Sequence, residues 1–521
     1  MHPSMTLRVC ALAAAILATG CGGGGGATST PPVVTPPVVT PRVVPPPVVE
    51  PPVVVPPVVT VPNTTLAFTE ASVHDPAVIK AGDTYYVFGS HLAAAKTTDL
   101  MNWTKIADGV NNSNPLIASV TTALADAFAW SQVTDLWAAD VVQLDDGKFY
   151  FYYNTCKGDS PRSAMGLAVA DKIEGPYVNQ GVFLKSGMWD QASPDGTIYD
   201  ARVHPNAVDP NTFRDKEGKL WMIYGSYSGG IFIMEMDKAT GKPLAGQGYG
   251  KHLMGGNHAR IEGAYMMYSP QSDYYYMFTS FGGLDANGAY NMRVARSRTP
   301  NGPYLDAKGT DMATVKANPA LPLFDDASIA PHGQKLFGNH QFTAGIGEAG
   351  VVSGYVSAGH NSARYEPATQ QYFLVFHARF PGRGEEHEIR VHEMFLNEDG
   401  WPVVAPLRYA PLSKSAVALA AEVTSAEAQG SYQFINHGKD ITANIKTAQA
   451  IRLEAGGAVT GAATGTWTHK GANKITIVLT GAGTFNGVLS RQFNANAERF
   501  VVTLTAQASD GVSVWGVRTR L

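Results

Sequence analysis

The chain has 521 residues, which is too long for one hydrophobic core, so we expect at least two domains. Charged residues make up 16% of the sequence and the formal net charge is −4, which argues against a nucleic-acid partner because such proteins carry a clear basic excess. The 54 glycines and the 10% of aromatic residues favour an all-β protein with many turns over a helical one.

Residues 1–20 are predicted to be a signal peptide. An apolar run from Val9 to Ala18 follows Arg8 and is too short to span a membrane. Small residues precede Cys21, which is typical of a lipoprotein, so we expect cleavage before Cys21 and a lipid on its sulfur. An ordinary secretory signal is the alternative. The protein is therefore expected outside the cytoplasm, either secreted or held at the cell surface or outer membrane by a lipid anchor alone.

Residues 21–65 are predicted to be a linker. After a Gly-rich start, the stretch from Pro31 to Val61 repeats a Pro-Pro-Val-Val unit. Proline fixes φ and cannot donate to a β-ladder, so this stretch should form an extended polyproline II segment. At ~3.1 Å per residue it would span on the order of 90 Å, enough to hold a folded domain away from a membrane.

One pattern, a turn followed by an aromatic and β-branched strand, recurs five times in the middle of the chain. The repeated strands begin near Tyr85, Phe149, Leu220, Tyr274 and Tyr372. Their spacing of roughly 50 to 100 residues suits four-stranded units with variable loops, and it predicts a five-bladed β-propeller over residues 66–410. A β-sandwich is the competing fold, but it does not explain such long periods.

Residues 411–521 differ in character and are predicted to form a separate small β-barrel or sandwich. An Ala-rich connector at 416–428 leads to short strands with Gly-rich turns between them. Trp467 and Trp515 could stack on sugar, but we favour the interpretation that they fill a small core.

A polar residue lies about ten positions ahead of each repeated strand: Asp75, Asp140, Asp209, Glu262 and His360. Because the first strand of each propeller blade borders the central channel, a repeat that carries one such residue per copy should bring several of them to one channel mouth. Carboxylates that share a cleft repel each other, so at least one of them keeps its proton at neutral pH. A proton donor beside a proton acceptor is what glycoside hydrolysis requires.

Each of these residues also has a purely structural interpretation. Asp75 and Asp209 both precede proline, and Asp-Pro is a common turn, while Glu262 could pair with Arg260. Asp140 is expected to satisfy local backbone groups rather than to react. The three remaining carboxylates are more convincing together than singly, because they occur at matching offsets in blades one, three and four.

Three short blocks resemble the catalytic blocks of glycoside hydrolase family 43: Val73-His74-Asp75-Pro76, Ala207-Val208-Asp209-Pro210 and Arg260-Ile261-Glu262-Gly263. Further blocks, including Gly359-His360-Asn361-Ser362, are similar to endo-α-1,5-arabinanases that carry an extra C-terminal β-domain. The resemblance implies an inverting hydrolase that cleaves internal α-1,5-L-arabinofuranosidic bonds of arabinan.

The resemblance also implies a role for each carboxylate. Asp75 corresponds to the general base, Glu262 to the general acid, and Asp209 to the carboxylate that tunes the pKa of the acid and orients substrate. An inverting pair leaves room for a water molecule, so we predict ~6.5–9.5 Å between base and acid.

A calcium ion is implied by the same resemblance. His360 corresponds to the residue that holds it, with water supplying most of the other ligands. Because calcium prefers oxygen ligands, a channel histidine that only hydrogen-bonds water is the alternative.

Five residues near these blocks are candidates for a substrate-binding groove: Trp137, Asn206, Ser226, Tyr227 and Phe281. Aromatic residues at blade mouths can equally belong to the core, so the aromatic members have a structural alternative.

Two other functions stay open. One is an exo-acting arabinofuranosidase or xylosidase on arabinan or xylan, and the other is a non-catalytic sugar-binding lipoprotein. In each case the partner is a polysaccharide, and we expect a monomer without a nucleic-acid ligand.

Overall fold

The computed structural model describes residues 66–189, 191–343, 345–348, 353–412 and 421–519. The predicted signal peptide, Cys21 and the linker therefore lie outside the described residues, as does part of the predicted Ala-rich connector. No helix within the described ranges is long and apolar enough to cross a membrane.

Five antiparallel sheets follow one another along the described chain as the blades of a propeller, which confirms the predicted fold. The first blade comprises β1 (Ala77–Ala81), β2 (Thr84–Phe88), β3 (Ala94–Thr97) and β4 (Thr104–Ala107). The second comprises β5 (Asp140–Gln143), β6 (Phe149–Cys156), β7 (Ser163–Ala170) and β8 (Val178–Lys185). The third comprises β9 (Asn211–Arg214), β10 (Leu220–Tyr224), β11 (Ile231–Met236) and β12 (Lys251–Met254).

The last two blades are built in the same way. The fourth comprises β13 (Ile261–Ser269), β14 (Tyr274–Phe281), β15 (Asn291–Ser297) and β16 (Gln334–Phe337). The fifth comprises β18 (Gly354–Glu366), β19 (Gln371–Arg379), β20 (His387–Leu396) and β21 (Pro402–Val404), and the short strand β17 (His340–Gln341) pairs with the beginning of β18. Short helical turns in the propeller are Ser90–Leu92, α1 (Val120–Ala123), α2 (Ala125–Ser131) and Met312–Thr314.

The repeated strand of the sequence is the second strand of its blade in all five cases: β2, β6, β10, β14 and β19. These strands are almost continuously apolar because both of their faces are covered by neighbouring blades; every residue of β6 and of β10 is buried. A short continuous apolar run bounded by turns is the pattern of a strand buried on both faces.

Each seam between neighbouring blades is filled by a buried apolar cluster, and the ring closes between the fifth blade and the first. At that closing seam Val78 and Tyr85 pack with Phe373 and Val391. The Ser362 hydroxyl accepts a hydrogen bond from the backbone N–H of Val78 at 3.0 Å and so joins the two blades at the channel. The blades therefore hold their first strands in a closed ring around one axis.

The C-terminal part forms a closed eight-stranded barrel, which follows α3 (Ser425–Ala428) along the chain. Its strands are β22 (Gly430–Asn436), β24 (Gln449–Leu453), β25 (Ala458–Gly461), β26 (Gly465–Gly471), β27 (Lys474–Leu479), β28 (Gly483–Asn494), β29 (Arg499–Ala508) and β30 (Ser513–Arg518), while β23 (Lys446–Thr447) pairs with β17 of the propeller. Trp467 and Trp515 are both buried, which confirms the interpretation that they fill a core.

Candidate active site

The first strands of the blades bring the predicted polar residues to one mouth of the channel. Asp75 and Asp209 lie just before β1 and β9, Glu262 is in β13, and His360 is in β18. Asp75, Asp209 and His360 have φ angles of +57°, +55° and +42°. Positive φ is unfavourable for residues other than glycine, and such backbone strain concentrates at functional sites.

Asp75 is a buried carboxylate surrounded by hydrogen-bond donors. The Ser90 hydroxyl donates to Oδ2 at 2.5 Å, His74 Nδ1 lies 2.8 Å from Oδ2, and His360 Nδ1 lies 3.1 Å from Oδ1. Burial alone would raise the pKa of Asp75, but the charges of His360 and His74 and their hydrogen bonds hold it well below its ordinary value. Asp75 therefore stays ionised and can accept a proton from water.

Glu262 is buried in the same mouth but keeps its proton more readily. Burial raises the pKa of its carboxyl, and the negative charge of Asp75 adds to the effect. The hydrogen bond from the Ser226 hydroxyl to Oε2, at 2.7 Å, opposes the shift without reversing it. Glu262 is thus suited to donate a proton.

Asp209 completes the set of three carboxyls. Burial raises its pKa to about 7, and the charges of Glu262 and Asp75 contribute to the increase against the effect of His360. The backbone N–H of Gly263, next to Glu262, donates to Asp209 Oδ2 at 3.4 Å. Asp209 and Glu262 are therefore electrostatically linked, so the ionisation of one opposes the ionisation of the other.

His360 is the positively charged centre of this group. Burial alone would lower the pKa of its imidazole, but the carboxylates of Asp75 and Asp209 raise it to about 9. Its backbone N–H donates to the Ser280 hydroxyl at 2.8 Å, which ties β18 to β14. One imidazolium thus stands among three carboxyl groups.

The surroundings of His360 fit the predicted cation. Its Nδ1 faces Asp75, no residue of the described ranges pairs with its Nε2, and its side chain is 15% exposed. A neutral imidazole nitrogen in a carboxyl-lined, solvent-accessible mouth is compatible with a calcium ion that takes its other ligands from water, since a histidine must lose its second ring proton to hold a metal.

Two histidines that sequence reasoning did not single out support Asp75. The Nδ1 of His377 accepts a hydrogen bond from the backbone N–H of Asp75 at 3.2 Å, and the His377 ring stacks on His74 with 3.8 Å between centroids. His74, Asp75 and His377 bring possible ligand atoms within 4.8 Å of one another. His74 lies in a block that carried the family resemblance, whereas His377 is hidden in the apolar pattern of β19.

Three of the predicted substrate-binding residues lie near this mouth. Ser226 donates to Glu262, and Tyr227 follows it with a partly exposed ring and a φ of +46°. Trp137 is also partly exposed and lies just before β5, at the same edge of the propeller, where its Nε1 donates to the carbonyl of Cys156 at 3.2 Å.

The side chains of two other predicted residues are engaged by the protein itself, Asn206 at a partly exposed position and Phe281 in the core. The amide oxygen of Asn206 accepts from the Ser163 hydroxyl at 2.5 Å and from the Ser186 hydroxyl at 3.4 Å, so it joins loops of the protein. Phe281 is fully buried, with the Arg293 guanidinium 4.6 Å from its ring centroid. The prediction that Phe281 lines a sugar groove is therefore corrected, because its ring has no accessible face.

Asp140 accepts hydrogen bonds from the neighbouring blade. Its Oδ2 accepts from the backbone N–H of Thr212 at 2.5 Å and from the Asn211 amide at 3.5 Å, which links the second blade to the third. Burial raises its pKa to about 7 despite these hydrogen bonds. Its oxygens are engaged between blades.

Comparison with known proteins gives matches to both parts of the chain. The family model described as "Glycosyl hydrolases family 43" matches residues 65–327, and a model described as "C-terminal lipocalin-like domain" matches residues 406–516. An extracellular endo-α-(1→5)-L-arabinanase from Bacillus subtilis is 55% identical over 86% of this chain and 93% of its own length. An extracellular endo-α-(1→5)-L-arabinanase from Thermotoga petrophila is 48% identical over 87% of this chain and 94% of its own length.

Solved structures agree in the arrangement of both parts. A family 43 glycoside hydrolase from Bacillus licheniformis has a TM-score of 0.83 at 56% identity, over 87% of this chain and all of the other. The endo-1,5-α-L-arabinanase of Thermotoga petrophila has a TM-score of 0.82 at 48% identity, over 87% of this chain and 99% of the other. The similarity thus extends through the propeller and the barrel together.

Proposed function

The chain belongs to glycosyl hydrolases family 43, and we propose that it hydrolyses internal α-1,5-L-arabinofuranosidic bonds of arabinan. Two relatives that align over most of the chain are named endo-α-(1→5)-L-arabinanases. The structural observation that carries the proposal is a pair of buried carboxyls, Asp75 and Glu262, whose pKa values are shifted in opposite directions at one channel mouth. Such a pair supplies a base and an acid at the same pH.

Asp75 acts as the general base in this proposal. Its carboxylate takes a proton from a water molecule, and the water oxygen attacks the anomeric carbon from the face opposite to the leaving group. The donors around Asp75, His74 and Ser90 among them, keep it ionised before the proton arrives. Attack from that face inverts the anomeric centre and requires the ~6.5–9.5 Å separation from the acid.

Glu262 acts as the general acid. Its raised pKa keeps the proton available, and it passes that proton to the glycosidic oxygen as the bond breaks. Asp209 supports this role because the two carboxyls are electrostatically linked, so that whenever Asp209 is ionised the loss of the Glu262 proton is disfavoured. The products are two shorter arabinan chains, one with an inverted reducing end.

We propose that calcium binds at Nε2 of His360 and that the imidazole releases its Nε2 proton when the ion binds, while Nδ1 keeps its proton toward Asp75. The bound ion would supply positive charge beside the three carboxyls. His360 itself orients Asp75 through the contact between Nδ1 and Oδ1. Two observations support this assignment. Carboxyl groups line the channel mouth, and the Nε2 atom of His360 faces away from Asp75.

We propose that the enzyme is exported and anchored by a lipid on Cys21. The two relatives described above are named extracellular, and the Pro/Val-rich linker would let an anchored enzyme reach a polymer that cannot enter the cell.

The length distribution of early products tests the endo activity. Purified enzyme is incubated with linear arabinan, and samples are separated by anion-exchange chromatography from the first minutes of reaction, with arabinoxylan as the parallel substrate. We expect a ladder of arabino-oligosaccharides from linear arabinan and little release from arabinoxylan. Arabinose as the only early product would indicate exo action and contradict the proposal.

A further inference from the structure

The connection between β15 and β16, residues 298–333, brings exposed apolar side chains to the channel mouth. Leu321, Leu323 and Phe324 are 39%, 66% and 44% exposed. A connection of this length inside a compact domain is uncommon and usually functional. Exposed apolar groups that cluster on one segment mark a binding surface more often than isolated ones do.

Phe324 forms a corner with Tyr227 of the third blade. The two ring centroids lie 5.6 Å apart and the ring planes meet at 62°, so the rings are angled rather than stacked. Tyr227 directly follows Ser226, whose hydroxyl donates to Glu262. The corner is therefore close to the proposed acid and opens to solvent.

Both rings are held by a strained and well-anchored backbone. Phe324 has a φ of +68° and Tyr227 a φ of +46°, a conformation that bulky residues rarely adopt. Two residues beyond Phe324, the carboxylate of Asp326 pairs with Arg260, with Nε 3.1 Å from Oδ1. Ile329 is fully buried in the apolar cluster between blades three and four. Strain of this kind persists only where the surroundings enforce it, so the corner is formed before any ligand arrives.

We propose that Phe324 and Tyr227 form a subsite for an arabinofuranosyl unit adjacent to the bond that is cleaved, an inference that rests on the proposed function. Sugar rings present C–H groups that pack on aromatic faces, while their hydroxyls stay available to polar partners. Phe324 carries no titratable group, so it acts on substrate binding and takes no part in proton transfer. It is a specificity-determining residue of the mouth.

Steady-state kinetics on linear arabinan test this subsite. We expect Phe324→Ala to raise KM roughly fivefold to tenfold, the effect of losing one aromatic contact, while kcat changes by less than about twofold. Phe324→Leu keeps an apolar side chain without the ring and should raise KM as well. Phe324→Trp keeps an aromatic ring and should have a KM close to that of the wild type. Leu305→Ala is the matched control, since Leu305 lies in the same connection and is 37% exposed.

The outcomes separate this inference from the proposed function. A wild type that cleaves arabinan, together with an unchanged KM in Phe324→Ala and Phe324→Leu, overturns the subsite and leaves the proposed function standing. A fall in kcat at constant KM also overturns it, because that result would indicate a role in the chemical step. If Phe324→Ala does not fold, Phe324→Leu decides, and a wild type inactive on arabinan overturns both proposals.

Discussion

The two carboxyls that we assign as base and acid differ in their hydrogen-bond partners and not in their burial. Asp75 and Glu262 are both buried, and burial alone would raise the pKa of each. Asp75 is close to the imidazoles of His74 and His360, whereas Glu262 receives hydroxyl hydrogen bonds from Ser226 and Tyr290. Positive neighbours stabilise a carboxylate much more than a neutral donor does, and this difference separates the two roles.

The first prediction concerns calcium binding at His360. Calcium that binds only the folded protein should raise the melting temperature, and a hundredfold excess over Kd stabilises by roughly 2.7 kcal/mol. We expect chelation to lower both the melting temperature and the activity of the wild type, and added calcium to restore them. In His360→Ala, titration calorimetry should detect no calcium binding. An equal calcium-dependent shift of the melting temperature in His360→Ala would contradict the assignment.

Four candidate site residues were predictable from the sequence because the repeat itself carries them. Asp75, Asp209, Glu262 and His360 were found because each precedes a strongly patterned strand at a similar distance. Phe324 could not be found in this way, because a long irregular connection brings it to the mouth. Phe281 was placed wrongly because a strand buried on both faces gives no alternation that would distinguish an accessible ring from a core ring.

Among the elements of the fold, two strands carry β-bulges beside the candidate site residues Glu262 and His360. The pairing of β13 with β14 shifts register between Glu262 and Tyr265, and β18 shifts register on both sides of Gly359. A bulge adds an unpaired residue and turns the neighbouring side chains, which is why bulges are common beside active sites. Gly263 lies in the first of these bulges with a φ of +61°, and a Cβ there would lie 3.0 Å from the His360 ring.

The second prediction concerns Gly359, where there is no room for a side chain. A Cβ at Gly359 would lie 2.1 Å from the ring of Tyr290, which is fully buried and hydrogen-bonds to Glu262. We expect Gly359→Ala to lower the free energy of unfolding by about 1–3 kcal/mol, as overpacking does, and to reduce kcat by displacing Tyr290. Gly456→Ala is the control, because a Cβ there has no described atom within 4 Å. The measurements are urea unfolding and arabinan assays. Equal stability and equal kcat in the two variants would contradict the claim that a side chain at Gly359 displaces Tyr290.

The elements that could be predicted are those with two covered faces. The second strands of the five blades were recognisable because their apolar runs are long and bounded by turns. Short outer strands such as β16 and β21 were not, since three or four residues at a blade edge carry little periodic signal.

Across the whole molecule, the barrel is joined to the propeller by a shared core and by a buried lysine. Trp515 of the barrel lies in the apolar cluster of blades four and five. Lys335 of the fourth blade is buried and donates to the carbonyls of His437 and Asp440 at 3.0 and 2.7 Å. Sequence composition indicated a second β-domain but left barrel and sandwich open, because closure depends on the pairing of β22 with β30.

The next prediction concerns membrane anchoring through a lipid on Cys21. If Cys21 carries the lipid, Cys21→Ser should move the protein from the membrane fraction to the soluble fraction without loss of arabinan hydrolysis. Cys10→Ser is the control, because Cys10 is expected to leave with the signal peptide. The measurement is immunodetection after fractionation of a bacterial host that processes lipoproteins. Membrane retention of Cys21→Ser would contradict the anchor.

If the propeller brings together a base and an acid for the hydrolysis of arabinan, Glu262→Gln should lose the acid, and release of reducing sugar measures that loss. Asp140→Asn serves as the control, because Asp140 occupies the matching position of the second blade and engages Thr212. With both variants folded by circular dichroism, we expect Glu262→Gln to lose at least ~10²-fold in kcat on linear arabinan, as loss of a general acid does, while Asp140→Asn stays active. Wild-type activity in folded Glu262→Gln would contradict the assignment of Glu262 as the general acid.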